Sequence, residues 1–124
     1  MSYVRRVTVD VTTDADGAAT AFSDPIEYGM LSQIRYVKDD FDNGSTITVT
    51  SEATGETLWT EANVNASATR APRQATHGTD GAASLYAGGG VAVQDKIAIV
   101  NDRIKIVVAS GGNAKFGTFH FLLV

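Results

Sequence analysis

Apolar and polar residues alternate with a period of two over several parts of this sequence, and this pattern constrains the fold more than any other feature. The alternation is clear at residues 7–12, 46–50, 103–109 and 116–124. Successive side chains of an extended chain point to opposite sides, so each segment is expected to form a β-strand with one buried face. No long segment combines helical apolar spacing with caps that would start and stop a helix. The sequence therefore predicts an all-β protein.

Turn-forming residues separate the expected strands. Residues 14–17, 43–44, 101–102 and 111–113 are rich in Asp, Asn and Gly, which accept the backbone conformations of tight turns. About eight short strands with turns every 8 to 12 residues favour two packed antiparallel sheets. We therefore expect residues 1–124 to form a single domain, an antiparallel β-sandwich of the jelly-roll kind.

Residues 26–38 leave two interpretations open. Ile34, Tyr36 and Val37 favour an extended segment, and Gly29 then marks a bend or bulge. A short helix at residues 30–35 is the alternative.

Residues 62–90 interrupt the strand pattern. Only Val64, Leu85 and Tyr86 are large and apolar there, while Ala, Ser, Thr and Gly dominate. So few apolar groups gain little from burial at about 25 cal/mol per Å², against a backbone cost of about 1 to 2 kcal/mol per ordered residue. We expect this stretch to be an extended loop or arm that another subunit orders.

The composition disfavours several partners. Fourteen acidic and ten basic residues give a net charge of -4, which argues against a nucleic acid partner held through its phosphates. The chain has no cysteine, so disulfides, thiolate-bound zinc and thiol catalysis are ruled out. It begins without the apolar run of a signal peptide, and no apolar run reaches the ~20 residues of a spanning helix. No membrane partner is expected.

The residues that could carry chemistry lack the spacing that chemistry needs. The carboxylates of residues 39–42 suggest a calcium loop, but Phe41 would occupy a ligand position. His77 and His120 show no ligand or catalytic-triad spacing, and there is no Gly-x-Ser-x-Gly motif. We predict that the protein is not an enzyme and binds no metal or cofactor.

Four residues in the atypical stretch are candidates for a protein interface: Arg70, Pro72, Arg73 and His77. The two arginines carry planar, multidentate donors on a segment expected to be exposed, and arginine is common in protein interfaces. An ordinary solvated loop is the alternative.

Two aromatic residues suggest a different surface. Trp59 and Tyr86 could form an aromatic platform on which a sugar ring stacks, with polar loop residues holding its hydroxyls. For Trp59, the single tryptophan, burial in the core of a strand is the favoured interpretation.

Several segments resemble small proteins of tailed bacteriophages: residues 51–59, 63–67, 72–76, 102–106 and 119–121. The resemblance is to capsid decoration, or cement, proteins, which are β-sandwich subunits that bind the outside of the head shell. It implies a virion structural protein, made in the bacterial host cytoplasm. Its partners would be the major capsid protein and other copies of itself in a homo-oligomer. A phage tail or host-recognition module that binds carbohydrate is the alternative, because no definite shell-binding motif is present.

Overall fold

The structure, a computed structural model, describes residues 4–124 and contains only β-strands as regular elements within them. The prediction of an all-β protein is confirmed. No helix that could cross a membrane occurs in this part of the chain. The strands are β1 (Arg5–Thr12), β2 (Ala19–Phe22), β3 (Ile26–Lys38), β4 (Thr46–Ser51), β5 (Thr57–Glu61), β6 (Ala68–Arg70), β7 (Gln74–Ala75), β8 (Gln94–Asp95), β9 (Ile97–Asp102), β10 (Ile104–Ala109) and β11 (Phe116–Leu123).

The strands form three antiparallel sheets. The five-stranded sheet has the order β1-β11-β3-β6, and β9 also pairs with β3. The four-stranded sheet has the order β2-β10-β4-β5, and β7 pairs with β8 in a separate ribbon. Neighbours in these sheets are often distant in sequence, as β1 and β11 are. The topology therefore depends on long-range pairing.

Strand β3 organises the larger sheet. It spans residues 26–38, so the segment is extended and the alternative of a short helix was wrong. Residues 31–38 pair with β11. Residues 26–31 pair with β9, and residues 34–36 pair with β6. Because a strand has two edges, β9 and β6 follow one another along the edge opposite β11.

The buried side chains of the two larger sheets belong to one cluster. Alternate residues of β10 and β11 are buried, as the sequence pattern predicted. The aromatic part of the cluster is a stack in which the ring centroids of Tyr36 and Phe119 lie 4.9 Å apart. Phe119 and Phe121 follow with centroids 6.5 Å apart. Offset stacking at these separations adds to the stabilisation from apolar burial.

Residues 62–90 do not form one long loop, so that expectation is not supported as stated. Strand β6 pairs with β3 in the larger sheet, and β7 pairs with β8. Two isolated bridges, His77 with Ala83 and Leu85 with Ala92, add further backbone pairing. Most of the paired residues are small or polar, so their pairing leaves no hydrophobic alternation in the sequence. Residues 71–96 are called the 71–96 segment below.

Candidate functional site

Arg70 connects the edge strands β5 and β6, which belong to different sheets. Its Nε donates to Oε1 of Glu61 at 2.8 Å, and its Nη2 donates to Oε2 at 2.9 Å. Trp59 donates from Nε1 to the same Oε1 at 3.1 Å, and the Arg70 guanidinium lies 5.9 Å from the Trp59 ring centroid. The hydrogen bonds from Arg70 and then from Trp59 lower the pKa of Glu61 to about 2. The carboxylate is therefore held ionised and in a fixed position.

Arg73 binds backbone of its own chain. Its Nη1 donates to the carbonyl oxygen of Ser32 at 2.9 Å and to that of Pro72 at 2.8 Å. Ser32 lies on β3 between the residues that pair with β9 and those that pair with β6. The Arg73 guanidinium thus donates to a β3 carbonyl at the gap between the stretch that pairs with β9 and the stretch that pairs with β6. The carbonyl of Pro72 is one of the two acceptors in this contact.

Three of the four interface candidates are neighbours in sequence at the end of β6, and His77 follows four positions later. Arg70 lies at the end of β6, and Pro72 and Arg73 begin the 71–96 segment next to it. His77 is exposed and lies farther along, where its backbone bridges to Ala83. Contact of these residues with another subunit stays a prediction, because the structure contains one chain.

The aromatic platform expected from Trp59 and Tyr86 is not available as a pair. Trp59 is 7% exposed and is covered by the Arg70 guanidinium, so its expected burial is confirmed. Tyr86 is 75% exposed. A sugar ring could stack on Tyr86 but not on the buried face of Trp59.

A polar groove lies where β5 leads into β6. We call it the β5–β6 groove; its volume is about 440 Å³. No local sequence pattern indicated it, because Arg35 comes from β3 and the other residues come from the β5–β6 connection and its flanks. The lining residues are Arg35, Glu61, Asn63, Val64, Asn65, Ala66, Ser67, Ala68, Thr69 and Arg70.

The groove carries a positive charge that no carboxylate of residues 4–124 pairs with. Glu61 pairs with Arg70 at 2.8 Å. Arg35 donates from Nη1 to Oγ1 of Thr69 at 3.1 Å, a neutral partner. Lys38 lies beside the groove and donates from Nζ to the carbonyl oxygen of Asn65, also at 3.1 Å. The groove is thus locally cationic on a protein whose net charge is -4.

A second, smaller cavity has a volume of about 230 Å³, and its charged side chains are already paired. Arg103, on its wall, donates to both carboxylate oxygens of Glu52 at 2.9 and 2.8 Å. Asp102 is buried, and its Oδ1 accepts from the backbone N–H groups of Ala53 and Arg103. The charged groups here bind one another and the backbone, which leaves little bonding capacity for a ligand.

The carboxylates of residues 39–42 lie in a turn between β3 and β4. Phe41 in this turn is buried, and Oδ1 of Asp40 accepts from the backbone N–H of Phe116 at 2.7 Å. Within residues 4–124 no group of three or more His, Asp or Glu side chains is placed to hold a metal ion. His120 contacts Thr8, with Nδ1 3.2 Å from Oγ1. These contacts give the turn and His120 structural roles, as hydrogen-bond partners of neighbouring strands.

The 71–96 segment exposes large apolar side chains. Tyr86 and Val91 are 75% and 74% exposed, and Leu85 is 40% exposed. The N–H of Tyr86 donates to the carbonyl oxygen of Val91 at 3.0 Å, so the two residues lie next to each other. The part of the buried core that the structure describes includes Val64 and Ile97 but no residue between them. The segment therefore exposes apolar surface, and none of its residues belongs to the described core.

Comparison with known proteins does not assign a family. The chain matches no protein-family model, and no curated protein matches it significantly. Two of the described surfaces combine exposure with distinct chemistry. These are the cationic β5–β6 groove and the apolar side chains of the 71–96 segment.

Proposed function

We propose that this protein is a non-catalytic virion structural protein, a capsid decoration or cement subunit that binds the outside of a bacteriophage head and stabilises the shell. The observation that carries the proposal is the 71–96 segment. It is hydrogen-bonded along its length yet contributes no residue to the core, and it exposes Leu85, Tyr86 and Val91. Exposed apolar residues that neighbour one another, as Tyr86 and Val91 do, are typical of protein-binding surfaces.

The proposed fold is an antiparallel β-sandwich of the jelly-roll kind. It is supported by the meeting of side chains from both larger sheets in one buried cluster. Two antiparallel sheets that bury one face each and expose the other form a compact adhesive subunit without needing a catalytic cavity.

The proposed mechanism is adhesion between neighbouring shell subunits. The partners are the major capsid protein and other copies of this chain, assembled as a homo-oligomer on the virion after synthesis in the bacterial host cytoplasm. Arg70 and Arg73 hold the base of the 71–96 segment through Glu61 and Ser32, and His77 adds an exposed polar group. Contacts worth a few kcal/mol per copy, repeated over many copies, would raise the resistance of the shell to internal pressure.

Co-sedimentation with expanded heads tests the proposal. We expect the purified protein to co-sediment with expanded heads of its own phage that lack a decoration protein. The Tyr86→Ser/Val91→Ser variant should bind at least about tenfold more weakly, since it loses two apolar contacts. Val100→Ser is the matched control, because Val100 is 62% exposed on β9, outside the segment. Failure of the wild-type protein to bind such heads would contradict the proposal.

A phage tail or host-recognition module that binds carbohydrate is the second candidate. One observation favours it: the polar β5–β6 groove, whose volume of about 440 Å³ is sufficient for a sugar. Trp59 does not support it, since the ring is buried. Specific binding on a glycan array by a protein that does not bind heads would favour this candidate over shell decoration.

A further inference from the structure

We propose that the β5–β6 groove binds an acidic sugar, with Arg35 pairing with the sugar carboxylate and with the amides and hydroxyls of the groove binding its hydroxyl groups. The inference rests on the second candidate function, since it names the ligand class of the same groove. It is independent of the binding of the 71–96 segment to a shell. The ligand class is a hexuronic acid, as a free sugar or as a residue of a polysaccharide.

The shape of the groove suits a small polar ligand. Its volume is about 440 Å³, within the range of pockets that hold small molecules. It is bounded by β5 and β6, the edge strands of two different sheets, and the Arg70–Glu61 pair joins them at 2.8 Å. This pair links the two strands at the wall of the groove before any ligand binds, and such preorganisation lowers the entropic cost of binding.

The charge of the groove selects an anion. Because Arg70 is paired with Glu61, it contributes no net charge, whereas Arg35 bonds only to the neutral Thr69 hydroxyl among the residues that the structure describes. The remaining guanidinium donors of Arg35 can form the planar, two-pronged contact that a carboxylate accepts. Lys38, whose Nζ lies 3.1 Å from the carbonyl oxygen of Asn65, adds a second positive charge beside the groove.

The neutral polar groups of the groove match sugar hydroxyls. Oδ1 of Asn65 accepts from the N–H of Gly44 at 2.6 Å, so the Asn65 side-chain NH₂ is left to donate. Asn63, with a φ of 56°, lines the groove together with Ser67 and Thr69. Amide and hydroxyl groups can both donate to and accept from a hydroxyl group. A ligand that carries a carboxylate and several adjacent hydroxyls would use all of these groups.

Neutral sugars and acidic peptides fit the groove less well. None of the residues that line it is aromatic, so a neutral sugar would lack the stacking surface that usually provides its affinity. An acidic peptide could satisfy Arg35 through one carboxylate, but it presents few hydroxyls to the amides of the groove. Both ligands serve as comparison probes.

Titration followed by ¹⁵N–¹H NMR of the full-length protein tests the proposal, with sodium D-glucuronate as the main probe. We expect saturable shifts at the amides of residues 63–70, and an affinity for D-glucose at least tenfold lower. Arg35→Ala and Arg35→Gln should each weaken glucuronate binding about tenfold, the loss expected for a charge-assisted contact. Arg6→Ala is the matched control, because Arg6 is an exposed arginine on β1, outside the groove, and should leave the affinity unchanged.

Any of the following results would overturn the proposal. The first is an absence of saturable shifts with glucuronate in a protein whose spectrum shows it to be folded. The second is equal affinity for glucose, or equal loss of affinity in the Arg6 and Arg35 variants. The third is tighter binding of an acetylated triglutamate peptide than of glucuronate, which would identify the groove as a peptide site. Binding to heads is measured separately, so failure here leaves the shell-decoration proposal intact.

Discussion

Tyr36 combines full burial with an unpaired polar atom. It stacks between Phe119 and Phe41, with ring centroids 4.9 and 6.1 Å away, while its hydroxyl has no hydrogen-bond partner in residues 4–124. Burial raises the pKa of Tyr36 from 10.0 to about 12. Because an unpaired buried hydroxyl costs free energy, we expect Tyr36→Phe to raise the free energy of unfolding in urea by about 1 kcal/mol. Tyr86→Phe, at an exposed tyrosine, is the control and should change it little.

The same residue should affect stability in alkali. From the reference pKa of 10.0 upward, the unfolded chain loses its Tyr36 proton while the folded chain retains it until about pH 12. The wild-type protein should therefore lose stability relative to Tyr36→Phe as the pH rises from about 10 towards about 12, whereas below this window the difference is constant. Urea unfolding at several pH values measures this difference. Parallel curves for the two proteins would contradict the prediction.

The stabilisation of the fold by Glu61 depends on pH. Its pKa is lowered from 4.5 to about 2, first by the hydrogen bond from Arg70 and then by that from Trp59. A lowered pKa stabilises the fold fully above about pH 4.5, and this stabilisation is lost as the pH falls towards about 2. The Glu61 and Arg70 side chains are 35% and 41% exposed, so solvent screening limits the pair to roughly 0.2 to 1 kcal/mol.

We expect Glu61→Gln to lower the free energy of unfolding at pH 7 by roughly 0.2 to 1 kcal/mol. The difference from the wild-type protein should shrink as the pH falls from about 4.5 towards about 2, the window set by the lowered pKa. Glu56→Gln is the control, since Glu56 is exposed and makes no ion pair within residues 4–124. A difference for Glu61→Gln that stays constant with pH would show that the ion pair does not stabilise the fold.

At the scale of elements, the packing of β11 against the turn between β3 and β4 requires a glycine. A Cβ at Gly117 would lie 2.8 Å from Cε2 and 3.1 Å from Cζ of the buried Phe41 ring. We expect Gly117→Ala to lower the free energy of unfolding by about 1 to 3 kcal/mol through overpacking. Gly88→Ala is the matched control, since nothing lies within 4 Å of a Cβ there. Adding Phe41→Leu should restore part of the loss, and equal stability of the two alanine variants would contradict this account.

At the scale of the whole molecule, the 71–96 segment should be the least stable part of the free protein. Its backbone is hydrogen-bonded, as between Thr76 and Val93 at 2.8 Å, yet no described core residue lies within it. Hydrogen exchange should therefore be fast across the segment and slow in β10 and β11, whose alternate residues are fully buried. Under the shell-decoration proposal, binding to heads should slow exchange in the segment. Strong protection in a demonstrated monomer would show that the segment is stable without a partner.

The sequence by itself determined the properties that depend on neighbouring residues. The period-two alternation of residues 103–109 and 116–124 indicated strands that bury one face, and β10 and β11 do so. The preference of a large aromatic residue for apolar surroundings indicated that Trp59 is buried, as it is. Each of these inferences needs only the local pattern, because strand alternation and burial preference are properties of a short segment.

Only the tertiary structure decided the pairing of distant residues. Arg35 and Thr69, which meet in the β5–β6 groove, are 34 positions apart, and the Arg73–Ser32 contact spans 41 positions. The sequence showed Arg70 and Arg73 as cations on an exposed stretch, whereas the fold uses them to bind Glu61 and Ser32. Strand order determines which residues meet, and local alternation does not encode strand order. The charge of the groove follows from the same long-range pairing. Folding pairs Glu61 with Arg70 and leaves Arg35 without a carboxylate partner among residues 4–124. Neither the charge nor the proposed acidic ligand could therefore be recognised from the sequence.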